Sequence, residues 1–416
     1  MWGRLRSINV LLVLANLASR AFGFLVSLLL ARMAGVQVLG AYSSLQISSS
    51  APTSPMSLPL ANSATIIASA HAPGLGLLGV LRAYIPVLWP ASLLALFGGA
   101  LLVWLGHGAG SGASVLTLRA SLLTVVVLAV AQLWSQVLQG LFHGAGRSLE
   151  CAQAIAGTMV TAIVLCGPVV LWFGIQGALV LAVWAAAGPA VWLCWRLRLD
   201  GSGLTLPASH QQVSEDVWRQ VRISLPSVVS TVIRNGTSWF CCIYLARLHF
   251  GEGGVGLVTI GLQWMMLMQL PVSSWGGRMV SEMAEAQREG QTALRGAQRH
   301  WLRKSGWVTA VVSAGVLVCT PALAWLYRLD TAALWWLLLI NSVGSCLAAL
   351  AYVQERIAFC IREQRAWMLL SLGADVVQLL MTLMWASVSV YVIPLGSVVS
   401  SALLLLGAQY YLSRCR

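Results

Sequence analysis

Hydrophobic positions along the chain fall into long runs that are separated by short polar or glycine-rich segments. Each run has about 20 residues or more, the length that an α-helix needs to cross a bilayer. Charged residues are sparse inside the runs and gather between them. The pattern predicts twelve membrane-spanning helices, at residues 8–33, 43–70, 80–105, 115–142, 151–173, 176–196, 222–248, 254–276, 303–327, 332–352, 365–388 and 390–412.

Polar residues on the first predicted helix form one stripe. Asn16, Arg20, Gly23 and Ser27 are spaced by four, three and four residues, which places them on one helical face. Arg20 lies near the middle of the apolar run, where an arginine costs about 2.5 to 3.5 kcal/mol on an insertion scale. We therefore expect Arg20 to face protein or water and to have a function.

The middle of the chain repeats this opening. Arg234 lies in another apolar run, 214 positions after Arg20, and Gly256 follows Gly40 by 216 positions. Repeated halves of similar topology are common in transporters. The repeat predicts an all-α membrane protein with about 12 transmembrane helices in two six-helix bundles. The bundles would be residues 1–200 and 222–416, joined by a polar cytoplasmic linker at 201–221.

Composition and charge agree with a membrane protein. Of 416 residues, 58% are hydrophobic and only 9% are charged, which excludes an ordinary soluble domain. The net charge of +13 is explained by the orientation of the protein in the membrane, because cytoplasmic loops are enriched in Lys and Arg. Nineteen of the 25 Lys and Arg residues fall on one side of the predicted topology. We expect that side, with both termini, to be cytoplasmic. No nucleic-acid partner is needed to explain the charge.

The second predicted helix is unusually polar. It contains many serines together with Pro52, Pro55 and Pro59. Prolines are tolerated in a membrane helix where neighbours or cavity water satisfy the freed carbonyl groups, so we expect this helix to line the interior. An irregular outer loop followed by a shorter span is the alternative.

Further polar residues are candidates for contact with a sugar. Asn16, Asn62, Asn235, Gln46 and Gln263 lie in predicted spans and could hydrogen-bond hydroxyl groups, although each is equally suited to joining helices. Asp375 lies in the eleventh span. Coupling an ion, pairing with a buried arginine and a place nearer the interface are all open for this carboxylate.

Enzymatic and metal chemistry have no support in the sequence. Nine cysteines are scattered without a C-x-x-C pair or a His/Cys cluster at metal spacing, and we expect them to be small apolar fillers. The G-x-G-x-x-G at residues 74–79 lacks the strand that a dinucleotide site needs. We therefore expect neither an enzyme nor a cofactor or metal.

Several short motifs resemble the polysaccharide flippases, in the superfamily that also holds the lipid II flippases and the multidrug and toxic compound extrusion transporters. In the first half these are Ser19-Arg20-x-x-Gly23-Phe24, Ala31-Arg32-x-x-Gly35 and Gly40-x-Tyr42. Three motifs of the second half resemble the O-antigen-type oligosaccharide flippases: Gly261-Leu262-Gln263-Trp264, Leu270-Pro271 and Ser281-Glu282. The resemblance covers nearly the whole chain in span count and repeat.

The resemblance implies two six-helix bundles around a central cavity that opens alternately to each side. The arginine of the S-R-x-x-G motif in lipid II flippases engages the lipid pyrophosphate, and Arg20 takes that position. Arg234 is assigned to substrate binding by the internal repeat alone. A guanidinium group suits this anion because it presents a planar fork of donors and stays charged.

These features lead to one functional hypothesis and its rivals. The hypothesis is a flippase in the bacterial inner membrane that translocates a polyprenyl-(pyro)phosphate-linked oligosaccharide for surface polysaccharide synthesis. Its expected partners are this substrate, membrane lipids, and a polysaccharide polymerase with chain-length machinery. The main alternative is a cation-coupled multidrug exporter of the same fold, which would favour carboxylates in the cavity. A scaffold or a lipid-linked sugar polymerase is a third class, and it would predict a long outer loop or dispensable charges.

Overall fold

The computed structural model describes residues 2–108, 116–199, 210–361 and 363–414. Within these ranges it leaves out the side chains of residues 2–14, 16, 58, 73–75, 199, 210–212, 223–224, 226–227, 276–278, 280–281, 284, 359–360, 364 and 412–414. The described residues form helices and short turns, without a strand. The helices of the first 239 residues are α1 (Trp2–Ala34), α2 (Val36–Gly108), α3 (Leu118–Gly144), α4 (Ser148–Leu199) and α5 (His210–Trp239).

A π-helical turn, Phe240–Leu245, continues α5 directly into α6. The helices that follow are α6 (Ala246–Met268), α7 (Leu270–Ser274), α8 (Gly276–Glu289), α9 (Gln291–Val318), α10 (Thr320–Tyr327), α11 (Thr331–Cys360), α12 (Gln364–Trp385) and α13 (Val392–Arg414). The all-α expectation is therefore confirmed.

Glycines divide the longest helical paths into separate spans. Gly76 in α2, Gly174 in α4 and Gly251 in α6 have φ angles of 68°, 56° and 65°. This left-handed region suits glycine because it lacks a Cβ atom. The three breaks separate the second span from the third, the fifth from the sixth and the seventh from the eighth, in agreement with the twelve runs of the sequence.

Length and apolar composition alone identify fewer spans. Among the described residues, seven helices meet both criteria, and the bent pair α9 and α10, which meet at 59°, would add an eighth. The polar second span and the amphipathic start of α5 do not meet them. The remaining spans are recognised from their place in the fold.

The chain packs into two compact units. The first unit is Met1–Ala34 with Ala41–Trp239, and the second is Gly35–Gly40 with Phe240–Arg416. Helix α2 therefore begins in the second unit and continues in the first. The two bundles 1–200 and 222–416 were predicted from the internal repeat of the sequence. That division stays a prediction.

In the first unit, α4 packs against both α1 and α3. Its core contains Leu133, Leu138 and Phe142 of α3, together with Tyr84, whose hydroxyl lies 2.7 Å from Ser63 Oγ. Part of the predicted linker belongs to this unit. Residues 200–209 lie outside the described part of the chain, but residues 210–221 are the helical start of α5.

The start of α5 is held by both apolar and polar contacts. Val213 and Val217 are fully buried in the core of the first unit. Asp216 Oδ2 lies 3.1 Å from His71 Nε2 on α2. Burial of these two valines explains why a sequence rich in turn formers continues as a helix.

In the second unit, α11 is central and packs against α6, α8, α9, α10, α12 and α13. A cluster beside the charged segment contains Met279 and Met283 of α8, Trp301 of α9, and Val353 and Ile357 of α11. This charged segment, residues 281–304 after the eighth span, mixes Glu and Arg at helical spacing, which predicts a helix. Helices α8 and α9 confirm that prediction.

Candidate functional site

Arg20 lies close to the middle of the 33-residue helix α1 and is exposed. Phe22, Val26 and Leu30 are buried on the other side of the same helix. The face of the predicted stripe is mixed, because Ser27 is fully buried and its hydroxyl donates to the Gly23 carbonyl at 2.8 Å. Ser27 is therefore engaged with its own helix, whereas the surface of Arg20 is accessible.

The side chain of Asn16 lies outside the described part of the structure. The backbone places the residue on α1, one turn before Arg20. Its assignment to sugar binding stays a prediction.

Arg234 is exposed on α5, in the first unit with Arg20. Its neighbour Asn235 is turned toward α2, where its Nδ2 atom donates to Ser54 Oγ at 2.5 Å and contacts the Ala51 carbonyl oxygen at 3.3 Å. One turn later, Trp239 Nε1 donates to Ser48 Oγ at 2.8 Å. These hydrogen bonds attach the polar face of α5 to the serine-rich part of α2. Arg234 lies beside this face and is exposed.

The serine- and proline-rich segment of α2 is a continuous helix. Its hydroxyl groups bond to carbonyl groups of the preceding turn, as in Thr53 to Ser49 at 2.6 Å and Ser49 to Gln46 at 2.8 Å. These bonds satisfy side chains that would otherwise be costly to bury. The alternative of an irregular outer loop over this segment is wrong, since residues 36–75 are helical.

Two other predicted sugar contacts lie on the same helix. Gln46 Nε2 donates to the Tyr42 hydroxyl at 2.7 Å, one turn away, and Gln46 is only partly exposed. Asn62 is exposed. The two residues therefore differ, because the amide nitrogen of Gln46 is engaged within α2 while the side chain of Asn62 is exposed.

Gln263 and Asp375 belong to the second unit. Gln263 is half-buried on α6, and Asp375 is 7% exposed near the middle of α12. Asp375 therefore lies inside the eleventh span and away from its ends, as expected for an acidic residue within the membrane. Asp375 acts electrostatically on Cys241 of the π-helical turn, and the Cys241 thiol also hydrogen-bonds with the Thr382 side chain. Turns of π-helix occur frequently at functional sites.

The described residues contain no group of three or more His, Cys, Asp or Glu side chains that could hold a metal ion. Asp375 is therefore not part of such a group among the described residues. A proton, or a cation held by one carboxylate together with neutral oxygens, is the chemistry that this position can support.

The sequence did not identify an ion pair near the break in α6. Arg247 is 8% exposed, and its Nη2 atom lies 2.7 Å from Glu252 Oε1. Arg247 is one of the Lys and Arg residues that do not belong to the nineteen on the predicted cytoplasmic side, and the predicted topology puts it on the outer side. The sequence signal for this ion pair was Glu252 itself, because it is an acidic residue within a mostly apolar stretch.

The repeated glycines of the two halves meet in one contact. A Cβ atom at Gly40 would contact the Glu252 carbonyl oxygen, and a Cβ atom at Gly256 would contact the Val36 carbonyl oxygen. The start of α2 and the middle of α6 therefore cross backbone against backbone within the second unit. The internal repeat pointed to both glycines but not to their contact.

Comparison with known proteins concerns the fold. No model of a protein family matches the chain, and no curated protein sequence matches it. A multidrug resistance MATE family transporter of the MOP superfamily, in its inward-facing conformation, is similar over 95% of this chain and 94% of its own, with a TM-score of 0.76 and 14% identity.

Two further solved structures are similar over almost the full length. The eukaryotic MATE transporter AtDTX14 has a TM-score of 0.70 and 17% identity, over 99% of this chain and 96% of its own. The lipid II flippase MurJ, in an inward closed conformation, has a TM-score of 0.69 and 12% identity, over 97% and 87%. The chain therefore has the twelve-helix membrane fold shared by MATE transporters and MurJ.

Proposed function

We propose that the chain is a flippase that translocates a polyprenyl-(pyro)phosphate-linked oligosaccharide across the bacterial inner membrane, for surface polysaccharide synthesis. The observation that carries the proposal is the exposure of Arg20 and Arg234 on two helices of the first unit. A cation inside a membrane helix is expensive unless it faces water, protein or an anion. A phosphate or pyrophosphate group offsets that cost.

The mechanism needs no covalent step. Arg20 and Arg234 bind the phosphate groups through charge-assisted hydrogen bonds, and Asn62 and Gln263 are proposed to contact sugar hydroxyls. Asn235 and Gln46 contribute indirectly, because their amide nitrogens fix the conformation of α2 and its attachment to α5. Alternating access around a cationic cavity then carries the headgroup across the bilayer. The lipid tail stays in the hydrocarbon.

Asp375 is proposed as the site that couples transport to a cation gradient. It is buried in the second unit beside the π-helical turn that continues α5, the helix of Arg234. Protonation or cation binding at a carboxylate changes its charge in a low-dielectric setting, where the energetic consequence is large. A structural ion pair with an arginine is the competing role.

A cation-coupled multidrug exporter is the second candidate. The likeness to MATE multidrug transporters favours it, as does the buried carboxylate of Asp375. The two candidates differ in the charge of their substrate. Exposed arginines suit an anion, whereas a cationic drug needs accessible carboxylates or aromatic rings.

The experiment is complementation of a deletion strain with the wild type, Arg20→Ala, Arg234→Ala or the control Arg119→Ala. Arg119 is exposed at the start of α3 and was not assigned to the site. Surface polysaccharide, lipid-linked repeat units and membrane abundance of the protein are measured in the same cells. Loss of display for the two site variants at normal abundance, with repeat units accumulating, supports the flippase.

Two results would contradict a flippase whose substrate binds to Arg20 and Arg234. One is normal surface polysaccharide in the deletion strain combined with altered resistance to cationic drugs, which would establish the exporter instead. The other is a proportional fall of abundance and display in both site variants, which would assign the arginines to folding.

A further inference from the structure

One ridge of α9 carries a row of arginines. Arg295, Arg299 and Arg303 are each four residues apart, and all three are exposed. Residues at this spacing lie one above the other on the same helical face. At about 1.5 Å per residue, the row spans about 12 Å of the helix axis.

A neighbouring face of α9 is packed against the protein, and the three arginines lie outside that buried face. The buried residues of this helix are Leu294, Gln298, Trp301, Ser305, Thr309 and Ser313. Gln298 Nε2 also donates to Gln354 Oε1 on α11 at 3.0 Å. These contacts leave the three arginine side chains on the outer surface of the second unit.

The same ridge continues with large apolar residues. Trp307 is 65% exposed and Val311 is 59% exposed, at the next two positions of the four-residue spacing. Exposed apolar side chains on a membrane helix face lipid, and tryptophan is enriched at the boundary between hydrocarbon and headgroups. Arg303 precedes Trp307 by one turn, about 6 Å. The arginine row therefore lies at headgroup level, directly above a surface that contacts acyl chains.

The positive charge of this ridge is not balanced on its own helix. Helix α9 contains no Asp or Glu. Lys304 is excluded from the row, since its Nζ atom lies 4.6 Å from the centre of the Trp275 ring and 4.7 Å from that of Trp301. The neighbouring α8 carries exposed Glu285 and Glu289. Among the described side chains, neither forms an ion pair with the three arginines.

We infer that Arg295, Arg299 and Arg303 form a binding surface for anionic phospholipids of the surrounding membrane. The guanidinium groups would bind the phosphate groups of phosphatidylglycerol-type headgroups, and the acyl chains would lie along Trp307 and Val311. Basic residues at a membrane surface attract anionic lipid, and arginine adds bidentate hydrogen bonds to phosphate. These three arginines are not residues of the proposed substrate site, and the inference does not depend on which substrate is transported.

The test measures which lipid the purified full-length protein retains. The protein in detergent is incubated with equal amounts of phosphatidylglycerol and phosphatidylcholine of identical chains, and bound lipid is counted by native mass spectrometry. The variants are a row variant, Arg295→Gln with Arg299→Gln and Arg303→Gln, and the corresponding triple lysine variant. The matched control removes three exposed arginines elsewhere, with Arg219→Gln, Arg222→Gln and Arg365→Gln.

We expect the wild type and the control to prefer phosphatidylglycerol. The glutamine row variant should lose that preference by at least tenfold, since each basic residue near a membrane surface contributes about fivefold to binding. The lysine row variant should keep most of the preference because it keeps the charge. That result also separates lost binding from lost folding.

Three outcomes would overturn the inference. An unchanged lipid preference in the glutamine row variant would show that other residues bind the headgroups. An equal loss in the control would show that only the total charge matters. Displacement of the lipid by soluble glycerol phosphate would show a site for free phosphate, whereas a lipid surface requires the acyl chains.

Discussion

Arg247 and Glu252 form an ion pair across the break in α6, with 2.7 Å between Nη2 and Oε1. The two residues flank Gly251, whose φ of 65° turns the chain between the seventh and eighth spans. Because Arg247 is 8% exposed, its charge depends on the protein for compensation. The pair therefore stabilises the conformation of the chain at this turn.

Removing one partner of this pair should destabilise the protein. Arg247→Gln leaves the Glu252 carboxylate without its guanidinium, and we expect a loss of about 3 to 5 kcal/mol. The measurement is thermal unfolding of the purified protein, together with its yield in membranes. The double variant with Glu252→Gln should recover part of the loss, because neither charge is then left alone. A double variant whose loss equals the sum of the two single losses would rule out coupling between the residues.

A side chain at Gly40 should disrupt the crossing of α2 with α6. The Cβ atom of Gly40→Ala would meet the backbone carbonyl of Glu252, which cannot move as a side chain does. Overpacking of this kind costs about 1 to 3 kcal/mol. Gly256→Ala should behave in the same way. Gly157→Ala in α4 is the control, since its Cβ atom would have no neighbour within 4 Å, and stability should not fall. Equal thermal stability of all three variants would contradict the close crossing.

The glycine crossing also illustrates what the sequence could predict. The similar offsets of the two halves, 214 and 216 positions, identified Gly40 and Gly256 as corresponding residues, since a repeat is visible in the sequence alone. The contact between the two glycines depends on how helices that are distant in sequence pack against each other. Periodicity within one helix carries no information about this packing. The same limit applies to the stripe on α1, where spacing predicted a shared face but not that Ser27 is buried.

Asn235 is a second case in which local pattern and tertiary structure differ. The sequence offered sugar binding and helix joining as equal roles, and the bonds to Ser54 and Ala51 favour helix joining. The span count and the helical charged segment were predictable because hydrophobic periodicity determines them. The helix at residues 210–221 was not, because it depends on burial of Val213 and Val217 in the core of the first unit.

Asn235→Ala should therefore lower stability more than it alters substrate binding. Hydrogen bonds between membrane helices contribute about 0.6 kcal/mol on average and up to about 1.7 kcal/mol. We expect Asn235→Ala and Ser54→Ala to be destabilising and non-additive in a double-mutant cycle of thermal unfolding. Full stability with abolished transport would instead return Asn235 to the substrate site.

Asp375→Asn should uncouple transport from an ion gradient. The amide keeps the shape of the side chain but cannot take up a proton or a negative charge. In proteoliposomes, we expect the variant to transport at one rate with and without an imposed proton or sodium gradient, while the wild type responds to one of them. Thermal stability should stay near that of the wild type. A large loss of stability with normal gradient dependence would identify Asp375 as a structural partner.

Arg20→Lys tests whether the geometry of the cation matters as well as its charge. Lysine keeps the positive charge but presents one ammonium group where arginine presents a planar fork suited to two phosphate oxygens. We expect Arg20→Ala to abolish translocation of lipid-linked oligosaccharide and Arg20→Lys to retain a minor fraction, both at normal abundance. Translocation is measured in proteoliposomes by accessibility of the sugar to an added lectin. Equal activity of the lysine variant and the wild type would show that charge alone is required. Full activity of Arg20→Ala would remove the residue from the substrate site, because no cation would then be needed at that position.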